Sequence, residues 1–368
     1  MVDTVLSGGW IIDGTRTPPY QADLCIQDGK IVAISPQWEG NCRTRVDVTG
    51  KIVSPGFIDI HTHSDTCPFS AVFPESKVAQ GITLEIVGNC GVSAVPILPS
   101  CQAEQTAYLR KISEIPVPEE AVRDASVQKY AAHVAQTGYP SHLGTLIGQG
   151  TLRAGIVGFQ DRPLTPSEME QMKFLLDDQL NQGALGLSLG LIYPPGSFSP
   201  TSELRDLARV VQKHKKILAV HMRNEGPNIF QAVEEMLSIA EETGVHLHIS
   251  HLKLMGKAQW GQAPRLLERI EASRQRGAVV TCDQYPYTAT STILAYDGGS
   301  AAMLRRVSDP DTSLLRDIAE EMERRGGADA VLVASTHGSA PEYHGKTVSQ
   351  LSVCLGLTPA ETVAHILA

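Results

Sequence analysis

The chain has 368 residues, carries a formal net charge of −9 at pH 7, and is 42% hydrophobic and 19% charged. This composition is that of a globular protein with an ordinary core, and it excludes a disordered chain. The acidic balance argues against nucleic acid and anionic membrane as partners, because both bind clustered Lys and Arg. No apolar run reaches the ~18 residues of a membrane span. The seven scattered cysteines favour a reducing, cytoplasmic location.

The first part of the chain has the pattern of β-structure. Short apolar segments are separated by turn signals, among them Asp13-Gly14 and Asp28-Gly29, and Asp-Gly between apolar segments favours a hairpin. We predict a small, antiparallel portion of a β-sandwich over residues 1–54. Its predicted strands lie near residues 4–6, 10–12, 24–26 and 30–34. These strands are too few for a complete sandwich.

From residue 55 onwards, short apolar strands alternate with helices. A capping box at residues 165–168 precedes a helix that ends at Gly183, and Gly244 and Gly277 end two later helices. The predicted strands lie at residues 56–61, 82–88, 143–148, 184–189, 217–221, 245–251 and 278–283. This alternation predicts an α/β fold, namely a (β/α)₈ TIM barrel over residues 55–368 with its eighth strand unaccounted for.

Several potential metal ligands follow strand ends. His61 and His63 are two residues apart, so their side chains project from one face of the first barrel strand. His221 and His251 each end a later apolar strand, and Cys90 follows the strand at 82–88. Barrel enzymes place their catalytic groups at these strand ends. A thiolate together with imidazoles suits Zn²⁺.

Other interpretations of these residues remain open. A bare His-x-His pair is common at protein surfaces, and a free cysteine such as Cys90 is often a small buried hydrophobe. His246 and His248 lie on the opposite face of their strand from its apolar residues. We expect these two histidines to be hydrogen-bonded rather than to bind the metal directly.

Residues 55–63, Pro-Gly-Phe-Ile-Asp-Ile-His-Thr-His, resemble the opening metal motif of the amidohydrolase superfamily. Residues 87–91, Val-Gly-Asn-Cys-Gly, narrow the resemblance to the N-acyl-D-amino-acid deacylases (D-aminoacylases), in which a cysteine replaces the more usual carboxylated lysine at the metal. Further blocks similar to this family follow in the family's order, at residues 186–196, 221–225, 249–253 and 285–289.

The resemblance implies hydrolysis of the amide bond in a small-molecule substrate, an N-acyl-D-amino acid. It implies one tightly bound Zn²⁺ held by Cys90, His221 and His251. It also implies that His61 and His63 line a second metal position that is weaker or absent. Zinc lowers the pKa of bound water to about 7, so this ligand set is consistent with hydrolysis.

The resemblance further implies substrate contacts by Lys253, Tyr193, Tyr285 and Tyr287. Lys253 lies two residues past a metal ligand and can reach the α-carboxylate of the substrate. Tyrosine hydroxyls can donate to a developing oxyanion. Without the family resemblance, the tyrosines can equally be aromatic residues that pack against their neighbours. Lys253 can then equally be a charged side chain exposed to solvent.

One expected element of the family is not found. The family's general base is an aspartate at the end of the eighth barrel strand, and no matching segment precedes Ala368. We therefore expect a C-terminally truncated member of the family, with Asp283, at the end of a strand, as the substitute base within the chain. Two alternatives stay open: a cyclic-amide hydrolase of the dihydropyrimidinase kind, against which Cys90 argues, and an inactive metal-binding remnant. The oligomeric state is not predicted.

Overall fold

The computed structural model describes residues 1–70, 73, 75–110, 125–292, 294, 312–336 and 339–367. It forms two compact units, residues 1–58 with 77–84 and residues 59–76 with 85–368. The sequence predicts a boundary after residue 54, whereas the first unit continues to Ile58. Within the described ranges, no helix is long and apolar enough to cross a membrane.

The first unit contains a small β-sheet. Its strands are β1 (Val2–Ile11), β2 (Tyr20–Gln27), β3 (Lys30–Ser35), β4 (Cys42–Asp47) and β5 (Ile52–Val53). β2 pairs antiparallel with β1 and with β3, whereas β4 and β5 pair parallel with β1. The prediction of a purely antiparallel unit is therefore wrong. Asp-Gly signals fix only tight hairpins, whereas β4 reaches β1 by a crossover from β3.

Strand β1 is continuous where the sequence predicts two strands. Gly8 has φ +76°, and the register with β2 shifts between Leu6 and Gly9. Gly8 therefore forms a bulge that the strand accommodates, since glycine tolerates positive φ. The predicted hairpin at Asp28 and Gly29 is confirmed, because both residues have positive φ, as a type I′ turn requires.

The strands predicted for the barrel are all present. They are β6 (Phe57–Asp59), β7 (Ile82–Val87), β8 (His142–Thr145), β9 (Ile147–Gly148), β10 (Gly186–Gly190), β11 (Ile217–His221), β12 (His246–Ile249) and β13 (Val280–Cys282). The single strand predicted at residues 143–148 is divided in the structure into β8 and β9, with Leu146 between them. The strand orders are β6-β7-β8 and β13-β12-β11-β10-β9, and all pairings in the second sheet are parallel.

Two strands lie at the ends of this series. Among the described residues, β13 pairs only with β12. The strand before His61, β6, is expected from its sequence to be buried, but Phe57 and Ile58 are 61% and 58% exposed. In the part of the chain that the structure describes, β6 has a neighbouring strand on one side only, β7, and such an edge strand can leave apolar side chains uncovered.

The described helices are α1 (Ser76–Ala79), α2 (Gln102–Leu109), α3 (Val127–Thr137), α4 (Gln149–Val157), α5 (Pro166–Asn181), α6 (Thr201–Lys213), α7 (Ile229–Thr243), α8 (Ala263–Gln275), α9 (Thr312–Arg325), α10 (Val348–Leu355) and α11 (Pro359–Leu367). The predicted capping box begins α5, where Thr165 and Glu168 satisfy each other's backbone N–H groups. Gly244 ends α7 in the left-handed conformation, as predicted.

The core of the second unit lies between these strands and helices. Leu187, Val220 and Leu247 on neighbouring strands are fully buried in one apolar cluster with helix residues such as Leu176 and Met236. Because side chains alternate along a strand, the residues between these apolar positions face the other side of the sheet. That side carries the polar residues of the candidate site.

Candidate active site

Cys90 lies in a tight turn after β7. Its φ is +53°, and it is flanked by Gly88 and Gly91, which also have positive φ. A Cβ on Gly88 would lie 2.1 Å from the carbonyl oxygen of Leu146, and one on Gly91 would lie 2.5 Å from the backbone nitrogen of Gly190. Only glycine fits at both positions, and the Gly-Asn-Cys-Gly sequence thus packs Cys90 closely against the ends of the neighbouring strands.

His61 and His63 follow β6 and lie close together, as their spacing predicts. Their ring centroids are 5.6 Å apart. Nε2 of His61 lies 3.3 Å from Sγ of Cys90, and Nδ1 of His61 lies 3.3 Å from Oδ2 of Asp283. The same imidazole therefore contacts the thiol on one edge and a carboxylate on the other, which fixes its orientation.

His221 and His251 come from β11 and the turn after β12. His251 has φ +38°, and its backbone N–H donates to Oδ1 of Asp283 at 2.6 Å. Nε2 of His251 lies 3.5 Å from Sγ of Cys90, and the rings of His251 and His221 are 4.4 Å apart. Backbone strain of this kind persists where the surroundings hold it, and it is concentrated at functional sites.

The electrostatics of this cluster favour a thiolate. Burial raises the pKa of the Cys90 thiol, but the positive charge of His61 and hydrogen bonds from His221, His251 and His61 lower it well below its usual range. Burial lowers the pKa of His61, but the Cys90 thiolate and the hydrogen bond to Asp283 raise it to about 10. Burial lowers the pKa of His221 and keeps its imidazole neutral. A thiolate and a neutral imidazole are the forms that bind metal, so a metal ion bound here would release the proton that the Cys90 thiolate and Asp283 favour on His61.

Glu225 is a site residue that the sequence analysis did not single out. Its side chain is 5% exposed, and its Oε1 lies 2.9 Å from Nδ1 of His251, 3.7 Å from Nε2 of His221 and 2.7 Å from Nζ of Lys253. Burial raises the pKa of Glu225, but the hydrogen bond from His251 and the neighbouring positive charges lower it to about 2. Glu225 could have been proposed as a site residue from the sequence, because it lies four residues after His221 within the block 221–225 that resembles the family.

Lys253 lies beside Glu225 and His251, and its ammonium group is already engaged. Besides Glu225, Nζ lies 3.0 Å from Nδ1 of His251 and 5.8 Å from the ring centre of Tyr285. Tyr285 and Tyr287 stack with centroids 6.5 Å apart, and Tyr287 is 71% exposed. The structure therefore brings Lys253 and Tyr285 together and leaves Tyr287 towards solvent.

Tyr193 lies edge-on to His221, with ring centroids 4.8 Å apart. The segment after Tyr193 is held by Arg223, whose guanidinium donates to the carbonyl oxygens of Ser197 and Ser199 at 3.0 Å each. Arg223 is in turn fixed by Glu235 on α7, at 3.1 and 3.2 Å. These contacts fix the segment that follows Tyr193, whose ring lies against a candidate metal ligand.

Asp283 follows β13 and is held by three donors. Besides His61 and the backbone of His251, its Oδ2 lies 2.9 Å from Nε2 of His248. Burial raises the pKa of Asp283, but hydrogen bonds from His248 and His61 lower it well below its usual range. His246 and His248 both hydrogen-bond Thr281, so the prediction that these histidines are hydrogen-bonded is confirmed.

The donor set fits a divalent metal. Two groups of ligand atoms each lie within 4.8 Å of one another: His61, Cys90 and His251, and His221, Glu225 and His251. In the part of the chain described, the buried Nδ1 atoms of His63 and His221 have no hydrogen-bond partner. Buried polar atoms are normally satisfied, and a cluster of thiolate, imidazole and carboxylate is a ligand set that zinc accepts.

Comparisons with known proteins identify relatives of this chain. No family model matches the chain. The chain is 36% identical over 295 residues to a D-aminoacylase of Alcaligenes xylosoxydans xylosoxydans, covering 80% of this chain and 59% of that protein. It is 35% identical over 338 residues to an N-acyl-D-glutamate deacylase of the same organism, covering 90% of this chain and 67% of that one. The chain thus spans about three fifths of the first relative's length.

The solved structures give the same result. An N-acyl-D-glutamate deacylase from Bordetella bronchiseptica, complexed with zinc and a phosphonate inhibitor, superposes on the whole of this chain and 70% of its own, with TM-score 0.82 and 32% identity. A D-aminoacylase described as defining a novel subset of amidohydrolases gives TM-score 0.77 at 30% identity. The fold and the set of potential metal ligands are of the amidohydrolase type. The chain belongs to the N-acyl-D-amino-acid deacylase (D-aminoacylase) family.

Proposed function

We propose that this chain carries the metal-dependent site for hydrolysis of N-acyl-D-amino acids to a carboxylate and a free D-amino acid. The observation that carries the proposal is the buried Cys90 thiolate surrounded by three imidazoles. Relatives at 35–36% identity are named D-aminoacylase and N-acyl-D-glutamate deacylase, which supports a linear amide over a cyclic amide as the substrate.

The proposed metal is Zn²⁺, held tightly by Cys90, His221 and His251, with His61 and His63 facing a second position. A bound zinc ion lowers the pKa of water and polarises the scissile carbonyl. Glu225 accepts from Nδ1 of His251 and leaves Nε2 of that ring directed at Cys90. A carboxylate behind a ligating histidine fixes its tautomer and raises its basicity.

The proposed substrate contacts lie beside this cluster. Lys253 carries the positive charge that pairs with the α-carboxylate, and Tyr285 lies against the same ammonium group. We propose that Tyr193, whose ring lies next to His221, donates to the oxygen on which negative charge develops. Tyr287 extends the aromatic surface outwards, where it would contact the acyl group or the D-side chain.

Asp283 is better suited to positioning than to proton transfer. Its position at the end of a strand makes it the candidate substitute base, and an effective base has a pKa near the working pH. Hydrogen bonds from His248 and His61 hold the pKa of Asp283 well below its usual range. We assign to Asp283 the orientation of His61 and of the strained backbone at His251.

The seven cysteines are all free, which supports the proposal that the protein works in the reducing cytoplasm on a small-molecule substrate.

The test is an assay of the zinc-loaded chain with N-acetyl-D-methionine, its L enantiomer, and the D compound with its carboxylate masked as an amide. We expect turnover of the first compound only. The masked compound lacks the carboxylate that pairs with Lys253, and the L enantiomer, with its carboxylate bound at Lys253, would present its amide bond to the metal in a different orientation. Equal turnover of the masked compound would contradict the role of Lys253. No turnover of the D substrate by a chain that binds zinc would contradict the activity and leave the metal assignment standing.

A further inference from the structure

Behind the metal histidines lies a fully buried carboxylate that the proposed chemistry does not use. Glu85, in β7, is 0% exposed. Among the described residues, no Lys, Arg or His lies within ion-pair distance of it. Its hydrogen-bond partners are hydroxyl groups: Oε2 accepts from Ser64 at 2.7 Å, and Oε1 accepts from Ser141 at 2.5 Å and from Tyr139 at 3.1 Å. Burying a charge is costly unless it is well hydrogen-bonded.

The Ser64 contact leads directly to the candidate metal ligands. Ser64 follows His63, and its hydroxyl also pairs with that of Thr62 at 2.9 Å. Thr62 and Ser64 are buried and alternate along the chain with His61 and His63. The Ser64 and Thr62 hydroxyls thus link the segment that carries His61 and His63 to the Glu85 carboxylate.

We propose that Glu85 is a positioning residue for the metal site, acting through Ser64 on His61 and His63. This inference rests on the metal assignment of the proposed function. Neither His221 nor His251 belongs to the anchored segment, so Glu85 acts on the His61 and His63 part of the site alone. A second polar contact supports the same segment, because the backbone N–H of Gly88 donates to Oδ1 of Asp65 at 2.9 Å.

Two serine variants separate this role from a purely structural one. Ser64→Ala and Ser141→Ala each remove one hydroxyl from Glu85, but only Ser64 is adjacent to a metal histidine. Zn²⁺ affinity is measured by competition with a chromophoric chelator, and stability by urea unfolding of the same proteins. We expect Ser64→Ala to weaken Zn²⁺ binding at the second position, which His61 and His63 face, about tenfold or more, the usual effect of losing a group that orients a ligand, and to leave the tightly bound Zn²⁺ unchanged. We expect Ser141→Ala to bind Zn²⁺ like the wild type while losing comparable stability.

Glu85→Gln is a further variant that keeps the shape of the side chain. It replaces one acceptor oxygen by an amide donor, so we expect it to weaken Zn²⁺ binding at least as much as Ser64→Ala. If Ser64→Ala binds like the wild type, or if both serine variants weaken Zn²⁺ equally, the positioning role is overturned. A wild-type chain that binds no Zn²⁺ would overturn the metal assignment itself, and with it this inference.

Discussion

Replacing Cys90 with alanine tests the centre of the proposed site. The thiolate lies 3.3 Å from Nε2 of His61 and 3.5 Å from Nε2 of His251, so its loss removes the negatively charged sulfur shared by these imidazoles. Zinc sites with four protein ligands bind with about 10–16 kcal/mol of free energy. One ligand therefore contributes roughly 3 kcal/mol, which corresponds to a ~10²-fold increase in Kd.

The measurement is zinc content after dialysis against a chelator of known affinity, together with a Zn²⁺ titration. Cys67→Ala is the matched control, because Cys67, like Cys90, is a free cysteine shielded in part from solvent but belongs to neither ligand group. We expect Cys67→Ala to retain zinc like the wild type and Cys90→Ala to lose it. Equal zinc in the two variants would refute the assignment of Cys90 as a ligand and the reasoning built on it.

Three further outcomes are expected. Lys253→Met should raise KM for N-acetyl-D-amino acids about 10- to 100-fold, because a charged hydrogen bond contributes roughly 1.5–3 kcal/mol; an unchanged KM with full zinc content would contradict a substrate contact. Glu203→Gln should lower the free energy of unfolding by about 3–5 kcal/mol in urea titrations, because it leaves the fully buried Arg153 without a charged partner. In the wild type, the Arg153 guanidinium lies 2.6 Å from the Glu203 carboxylate. A loss under about 1 kcal/mol would show that the pair is solvated. The hydrogen bond from Arg162 and a backbone N–H lower the pKa of Glu168 to about 2 from an ordinary value of 4.5, so its stabilisation of about 1 kcal/mol is complete above pH 4.5 and is lost as pH falls towards 2. Glu168→Gln should therefore be less stable than the wild type at pH 7 and equal to it near pH 2, and a difference independent of pH would contradict this linkage.

Local sequence patterns determined most of the secondary structure of this protein. The capping box at residues 165–168, the helix end at Gly244 and the Asp28-Gly29 hairpin each depend on contacts within a few residues, and all three are present. The strand positions follow from short apolar runs for the same reason. The placement of His61 and His63 on one face also follows from the local alternation of a strand.

Pairing between distant segments was decided only by the tertiary structure. β4 and β5 pair parallel with β1, although the turn signals predict an antiparallel unit, because a crossover leaves no short-range signature. The exposure of Phe57 likewise depends on β6 being an edge strand, which its own apolar sequence cannot reveal.

The site shows the same division between local and long-range information. Cys90, His221 and His251 could be predicted because each follows an apolar strand, and the carboxyl ends of parallel strands meet at one edge. Glu225 and Asp283 could not be assigned their partners from sequence, since Asp283 meets His61 across 222 residues and Glu225 meets Lys253 across 28. Sequence patterns predict which face of a strand or helix a residue occupies. Only the folded chain decides which charged groups come together at the candidate site.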